Sequence, residues 1–325
     1  MFLAGAAVSL GSSWVLVSRL ERVGARLGFS EALLGIVAAV AADAPEITAA
    51  VTALAGHHPQ IGAGVVLGSN VFNLAALLGL AAVLAGRIAL HRRVIALEGF
   101  IAVWIAAVCL AVVLGAFGPA VGLGGVLCVL LPYLAVLGAG RRRLRQSALP
   151  AAWVDWLLSA IVEEESELEV AIHPARGRLR DGAVAAGAVL VVVGASVAME
   201  QAASRFGTRH GIAEIVTGGL VLAAVTSLPN AVAAVYLARR GRGAATLSTA
   251  MNSNAINVTV GLLAPAIIVG ATPSSGPATL VAAWYLGLTI VALLGAYGGR
   301  GLGRRHGAVI IGAYLVFVGV VLAGP

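Results

Sequence analysis

Asp43 and Glu46 are carboxylates in the middle of an apolar stretch that runs over about 30–55. At a bilayer centre each costs about 2.5–3.5 kcal/mol or more unless something compensates it. Set three apart, they share one face of an intact helix, so both can reach a single cation. No Arg lies in the middle of any apolar run, so an internal ion pair does not account for them. Pro45, between them, removes a backbone donor and clashes with the preceding turn. Carboxylates beside freed backbone carbonyls suit a hard cation such as Ca²⁺, which takes about six to eight oxygen ligands. The pair supplies at most two negative charges, which one divalent or two monovalent cations would neutralise. Two carboxylates confined together also compete for a proton, so proton coupling stands beside sodium coupling as an alternative.

The elements that must hold this pair follow from composition. Of 325 residues, 60% are hydrophobic and 11% charged; a soluble domain has roughly 45–50% apolar and about 25% charged residues. A polytopic membrane protein is expected, which excludes a soluble enzyme, a secreted disulfide scaffold and a disordered chain. A bilayer core needs about 20 apolar residues per helix. Cutting at arginines, prolines and Gly/Ser clusters gives ten spans, at about 2–20, 30–55, 60–85, 92–115, 120–140, 183–204, 212–238, 244–270, 278–298 and 307–323. Met1-Phe2-Leu3 has no basic residue before Arg19, so the N-terminus reads as the first span rather than a cleaved signal. The expected fold is all-α, with a first five-span unit over 1–140, a loop over 141–182 and a second five-span unit over 183–325.

The 21 basic residues are all Arg, in short clusters between apolar runs, which is a topological pattern rather than a nucleic-acid footprint. With ten spans, 19 of the 21 fall in loops on one side and only Arg205 and Arg209 on the other. The positive-inside rule then puts both termini outside and the 141–182 loop in the cytoplasm.

The two halves echo each other. Ala44-Pro45-Glu46 is followed by Gly68-Ser69-Asn70-Val71-Phe72-Asn73, and Leu228-Pro229-Asn230 by Asn252-Ser253-Asn254-Ala255-Ile256-Asn257. Proline to serine is 24 residues in both, and matched positions lie 184 apart. Gly28, Glu31 and Gly35 are echoed by Gly211, Glu214 and Gly218 with a one-residue slip. Five spans per unit is an odd number, so the second unit crosses in the opposite sense. Inverted repeats of this kind commonly form secondary transporters with broken helices and ion sites near the midplane.

Ala42-Asp43-Ala44-Pro45-Glu46 with Gly68–Asn73, and Thr226-Ser227-Leu228-Pro229-Asn230 with Asn252–Asn257, resemble the two α-repeats of the sodium/calcium exchanger family of calcium:cation antiporters. Close similarity covers about 28–86 and 211–270. The resemblance implies an antiporter whose transported cations, Ca²⁺ with Na⁺ or H⁺, meet Asp43, Glu46, Ser69 and Asn73 of the first copy and Thr226, Ser227, Asn230, Ser253 and Asn257 of the second. It implies no cofactor, and partners limited to the lipid bilayer and inorganic cations. Three positions depart from the family pattern: Asn230 replaces the second glutamate, Ala42 and Asp43 replace threonine and serine, and Asn252 replaces glycine.

Other polar residues carry blander expectations. Asn70 and Asn254 either belong to the site or bridge packed spans. Glu98 and Glu200 are expected near the membrane interfaces, His57 and His58 in a solvated turn, and Cys109 and Cys128 as small buried hydrophobes. The acidic run 163–169 lacks the spaced loop of a calcium hand and reads as a solvated linker. Trp153, Trp156, Leu157 and Ile161 have roughly helical spacing and fit the inner membrane surface. No His or Cys stands mid-span beside Ser or Asp, which argues against an intramembrane enzyme. A scaffold or sensor that kept the fold without transporting is the remaining alternative.

Overall fold

The computed structural model describes residues 2–27, 39–146, 150–159, 178–270 and 276–323. Gly28, Glu31, Gly35, Ile161 and the acidic run 163–169 lie outside the described residues. Long apolar runs become helices because backbone groups away from water must be paired within their own segment. The helices are α1 (Phe2–Leu27), α2 (Ala44–Ala55), α3 (Pro59–Ala85), α4 (Arg92–Val113), α5 (Pro119–Arg145) and α6 (Leu179–His210). They continue as α7 (Glu214–Thr226), α8 (Leu228–Arg239), α9 (Gly243–Val269), α10 (Gly276–Gly299) and α11 (Arg304–Ala323). Among the described residues eight are long and apolar enough to cross a membrane; α7 and α8, bent by 47° at their junction, reach that length and apolarity only together, and α2 is a shorter apolar helix.

Proline sets the breaks. Pro45 and Pro229 each sit in the first turn of a helix, where the missing N–H is tolerated. The residues at the two joints, Asp43 and Ser227, have the same backbone angles, φ −82° and ψ −4°. Before Pro45 a helical turn covers 39–42, and the Ala41 carbonyl, four residues back from the proline, accepts a hydrogen bond from Ser13 Oγ at 3.0 Å.

The two central spans, α3 and α9, are widened by π-helical turns at Leu74–Leu80 and Asn257–Leu263, and α7 carries a third at Thr217–Leu222. Such turns are uncommon and frequent at functional sites. From Ile61 to Val71 every residue of α3 is buried, Ser69 and Asn70 included, so this part of the helix is enclosed by protein on all sides. It approaches α7 through glycine: a Cβ at Gly68 would lie 2.2 Å from the Gly219 carbonyl oxygen, and one at Gly218 would lie 2.3 Å from that of Ile61. Small residues allow backbones to meet this closely. At the periphery α1 pairs with α6 through a buried Ser9–Ser196 hydroxyl contact of 2.7 Å.

The arginine-rich loops meet at one end of the bundle. Arg19 Nη1 bonds Asp181 Oδ1 at 2.6 Å, and Arg93 Nη1 bonds Ser159 Oγ at 2.6 Å. An antiparallel ribbon pairs β1 (Arg87–Ala89) with β2 (Gly301–Gly303), with Ile88 opposite Leu302. This ribbon departs from the all-α expectation; three-residue strands leave no alternating pattern to read. The other end carries His58, whose Nδ1 lies 2.8 Å from Glu214 Oε1, so the expected solvated turn holds an ion pair when His58 is protonated.

One further expectation changes. Cys109 is buried, but Cys128 is exposed on α5. The short helix over 151–159 buries Val154 and Leu158 and leaves Trp153 outward.

Candidate cation site

The proline joints and the π-bearing spans bring the two repeated motifs face to face. Asp43, Glu46, Ser69, Asn73, Thr226, Ser227, Ser253 and Asn257 are buried, and Asn230 is 4% exposed. Glu46 accepts from Ser227 Oγ at one carboxylate oxygen and from Asn257 Nδ2 at the other. Asp43 Oδ1 accepts from Asn230 Nδ2 at 2.6 Å and from Ser253 Oγ at 2.8 Å. Each carboxylate of the first copy is therefore held by residues of the second. Asn73 Nδ2 reaches Ser253 Oγ at 3.1 Å and Asn254 Oδ1 at 3.0 Å.

Four oxygens of this cluster are left over. Asp43 Oδ2, Ser69 Oγ, Asn73 Oδ1 and Asn257 Oδ1 are buried and have no hydrogen-bond partner. A buried acceptor without a partner costs about 1–3 kcal/mol. Asn73 and Asn257 use their amide hydrogens on protein atoms and keep the carbonyl oxygen free, which is the polarity a cation requires. The open donors are hard oxygens, three of the four neutral.

Eight of the nine residues marked by the sequence converge here through hydrogen bonds or an open oxygen. Thr226 differs: its hydroxyl bonds back to the Leu222 carbonyl at 2.9 Å in its own helix, an ordinary use of threonine in a span. Asn70 and Asn254, left open between two roles, prove to be a bridge. Each amide donates to the other's backbone carbonyl at 3.2 Å, and Asn70 Oδ1 accepts from Asn257. Their signal in the sequence was the shared spacing of 184 residues.

Glu98 and Glu200 stay outside the cluster, yet both are buried, at 2% and 3% exposure. Tyr133 of α5 donates its hydroxyl to Glu98 Oε1 at 2.7 Å, a partner two spans' alignment had to supply.

A helical membrane protein with a sealed, oxygen-lined centre built from two matched, broken motifs is the class defined by this geometry. The chain belongs to the sodium/calcium exchanger protein family, whose model matches residues 1–139 and 182–323. Over 124 residues it is 29% identical to the sodium/potassium/calcium exchanger 2 of Gallus gallus; the match covers 36% of this chain and 19% of that protein. The chain thus matches about a fifth of the length of that curated relative. In fold it is similar to the H⁺/Ca²⁺ exchanger CAX, with a TM-score of 0.70 at 15% identity over 99% of this chain and 85% of that one. It is also similar to the sodium-calcium exchanger NCX_Mj, with a TM-score of 0.61 at 20% identity over 98% and 96%.

Proposed function

We propose that this chain is a secondary cation antiporter that moves Ca²⁺ against Na⁺ or H⁺ by alternating access at the Asp43–Glu46 site. The observation that carries the reading is the set of four buried, unpartnered oxygens, Asp43 Oδ2, Ser69 Oγ, Asn73 Oδ1 and Asn257 Oδ1, gathered around two carboxylates. Oxygens in that state cost stability in the protein alone and are relieved by a bound cation. Competing cations exchange because the same oxygens cannot surround both at once.

In this reading the chain has ten spans in two inverted five-span units, 1–140 and 183–325, joined by a cytoplasmic loop over 141–182. Both termini face outward across the plasma membrane. The clustering of Arg19, Arg93 and the β ribbon at one end supports that alternation, because it gathers the loops after the first, third, fifth and ninth spans. The partners are the lipid bilayer and the transported ions, with no nucleic acid and no resident cofactor.

The test is ⁴⁵Ca²⁺ uptake into proteoliposomes under imposed Na⁺, K⁺ and H⁺ gradients. Gradient-driven uptake supports antiport. Folded protein that binds a cation without any gradient-dependent flux would place the chain among sensors or scaffolds instead.

A further inference from the structure

The end of the bundle away from the arginine-rich loops carries an acid–base contact between the two copies. His58, the residue before α3, places Nδ1 2.8 Å from Oε1 of Glu214, the first residue of α7. Both side chains are half-exposed. Just inside this contact α3 and α7 meet backbone to backbone. A Cβ at Gly218 would lie 2.3 Å from the Ile61 carbonyl oxygen, and one at Gly64 would lie 2.9 Å from the Gly219 nitrogen. The seam continues to Gly68 against Gly219, and Ser69 of the cation site follows directly. From His58 to Ser69 is 11 residues, about 16 Å of helix. The pair therefore stands at the surface end of a tight seam whose inner end is the site.

Several elements bring charge near His58. Glu214 lies on α7, and Glu200 of α6, 3% exposed, is close enough to interact with it electrostatically. His57 precedes it in the same turn and is exposed, as are Arg205, Arg209 and His210 at the end of α6, where His210 Nδ1 lies 2.9 Å from the Phe206 carbonyl. In the sequence, Arg242 stands at the position matched to His58, 184 residues on, and Glu31 at that matched to Glu214. Arginine keeps its charge at every working pH. Histidine, which this end has instead, is the side chain that changes charge between about pH 5 and 8.

Resting on the antiport reading above for its effect on transport, we infer that His58 and Glu214 form a proton-operated latch on the α3–α7 seam. The ion pair exists only while the imidazole is protonated, so it holds the seam at acid pH and lets go as pH rises. The neutral ring keeps at most a hydrogen bond. A half-exposed ion pair shifts an opening equilibrium by about two- to fivefold. That magnitude tunes access to the site from this end and does not switch it off.

Hydrogen–deuterium exchange on the full chain in lipid nanodiscs, without added Ca²⁺, reads the seam directly. Rates at about pH 5.5 and about pH 8 are compared after correction for the intrinsic pH dependence of exchange. The amides from Glu214 to Gly219 are expected to exchange about two- to fivefold faster at the higher pH in the wild type. His58→Arg, the residue of the other copy, should stay protected at both; His58→Gln and Glu214→Gln should exchange fast at both. No pH effect in the wild type, or the same effect in His58→Arg and His58→Gln, would overturn the latch. The ratio of wild-type to His58→Arg ⁴⁵Ca²⁺ uptake at each pH separates the latch from titration of the site itself. That ratio should rise about two- to fivefold from the lower pH to the higher, and a flat ratio would overturn the role in access. Absence of any gradient-driven flux in the wild type would overturn the antiport reading, and the exchange data would still decide the latch.

Discussion

Asn70 and Asn254, 184 residues apart, hold each other by the same bond in both directions: each side-chain amide donates to the other's backbone carbonyl at 3.2 Å. This clasp joins α3 to α9 at the centre of the bundle and fixes the distance at which Asp43 and Glu46 meet their partners. Asn70 Oδ1 also orients Asn257, and Asn254 Oδ1 orients Asn73.

Replacing Asn254 with Ala keeps the backbone carbonyl that accepts from Asn70 but removes the amide donated to the Asn70 carbonyl and the Oδ1 that accepts from Asn73, in a dry interior. A loss of about 1–3 kcal/mol per stranded group is expected. Thermal unfolding in detergent should show a clear fall in midpoint, and an unchanged midpoint would mean the clasp is dispensable.

Glu46→Gln removes a charge whose two oxygens are held by Ser227 and Asn257. Interactions with a charged group are worth about 1.5–3 kcal/mol, so apparent Ca²⁺ affinity should fall about 10- to 100-fold. Glu98→Gln keeps an acceptor for the Tyr133 hydroxyl and should leave affinity near wild type. Equal losses in concentration-dependent uptake would contradict the placement of the site.

Gly68→Ala drives a methyl group to within 2.2 Å of the Gly219 carbonyl oxygen, with backbone on both sides. Overpacking of this kind costs about 1–3 kcal/mol. Gly124→Ala on α5 meets nothing within 4 Å and serves as the control. Folded yield and unfolding midpoint should fall for the first and not for the second.

Ile88 and Leu302 face each other across the two-stranded ribbon and are 1% and 0% exposed. Directly opposed antiparallel residues have Cα atoms about 4.5–5.5 Å apart, within disulfide range. Cysteines at both positions, in a chain with Cys109 and Cys128 replaced, should cross-link on mild oxidation, detected as a linked peptide by mass spectrometry. Failure to link would separate the loop after α3 from the loop after α10.

The backbone plan was legible because it rests on features that act locally. Pro45 and Pro229 stand in the first turns of the helices that follow the two joints, and the 24-residue interval to Ser69 and Ser253 aligned the motifs without any structure. The contacts between copies were not legible. That Asn230 would reach Asp43, and Ser227 Glu46, depends on how two separately encoded breaks cross in space. The burial of Glu98 likewise depends on Tyr133 from the next span. Ile88 and Leu302 pair across more than two hundred residues, in strands too short to show alternation. The π turns in α3 and α9 are made mostly of Leu, Ala, Val and Gly, which also occur in the ordinary helices of this chain, so composition does not mark them.

The π turn at Thr217–Leu222 falls where the two halves differ in length by one residue. From Gly218 to Ser227 is nine residues, while from Gly35 to Asp43 is eight. A single inserted residue in a continuous helix would swivel everything beyond it by about 100°, since each residue turns that far when 3.6 complete a turn. An i→i+5 turn swallows the extra residue as a local bulge. The extra residue of the second copy thus lies beside a turn able to hold it, upstream of Ser227 and Asn230, which reach Glu46 and Asp43.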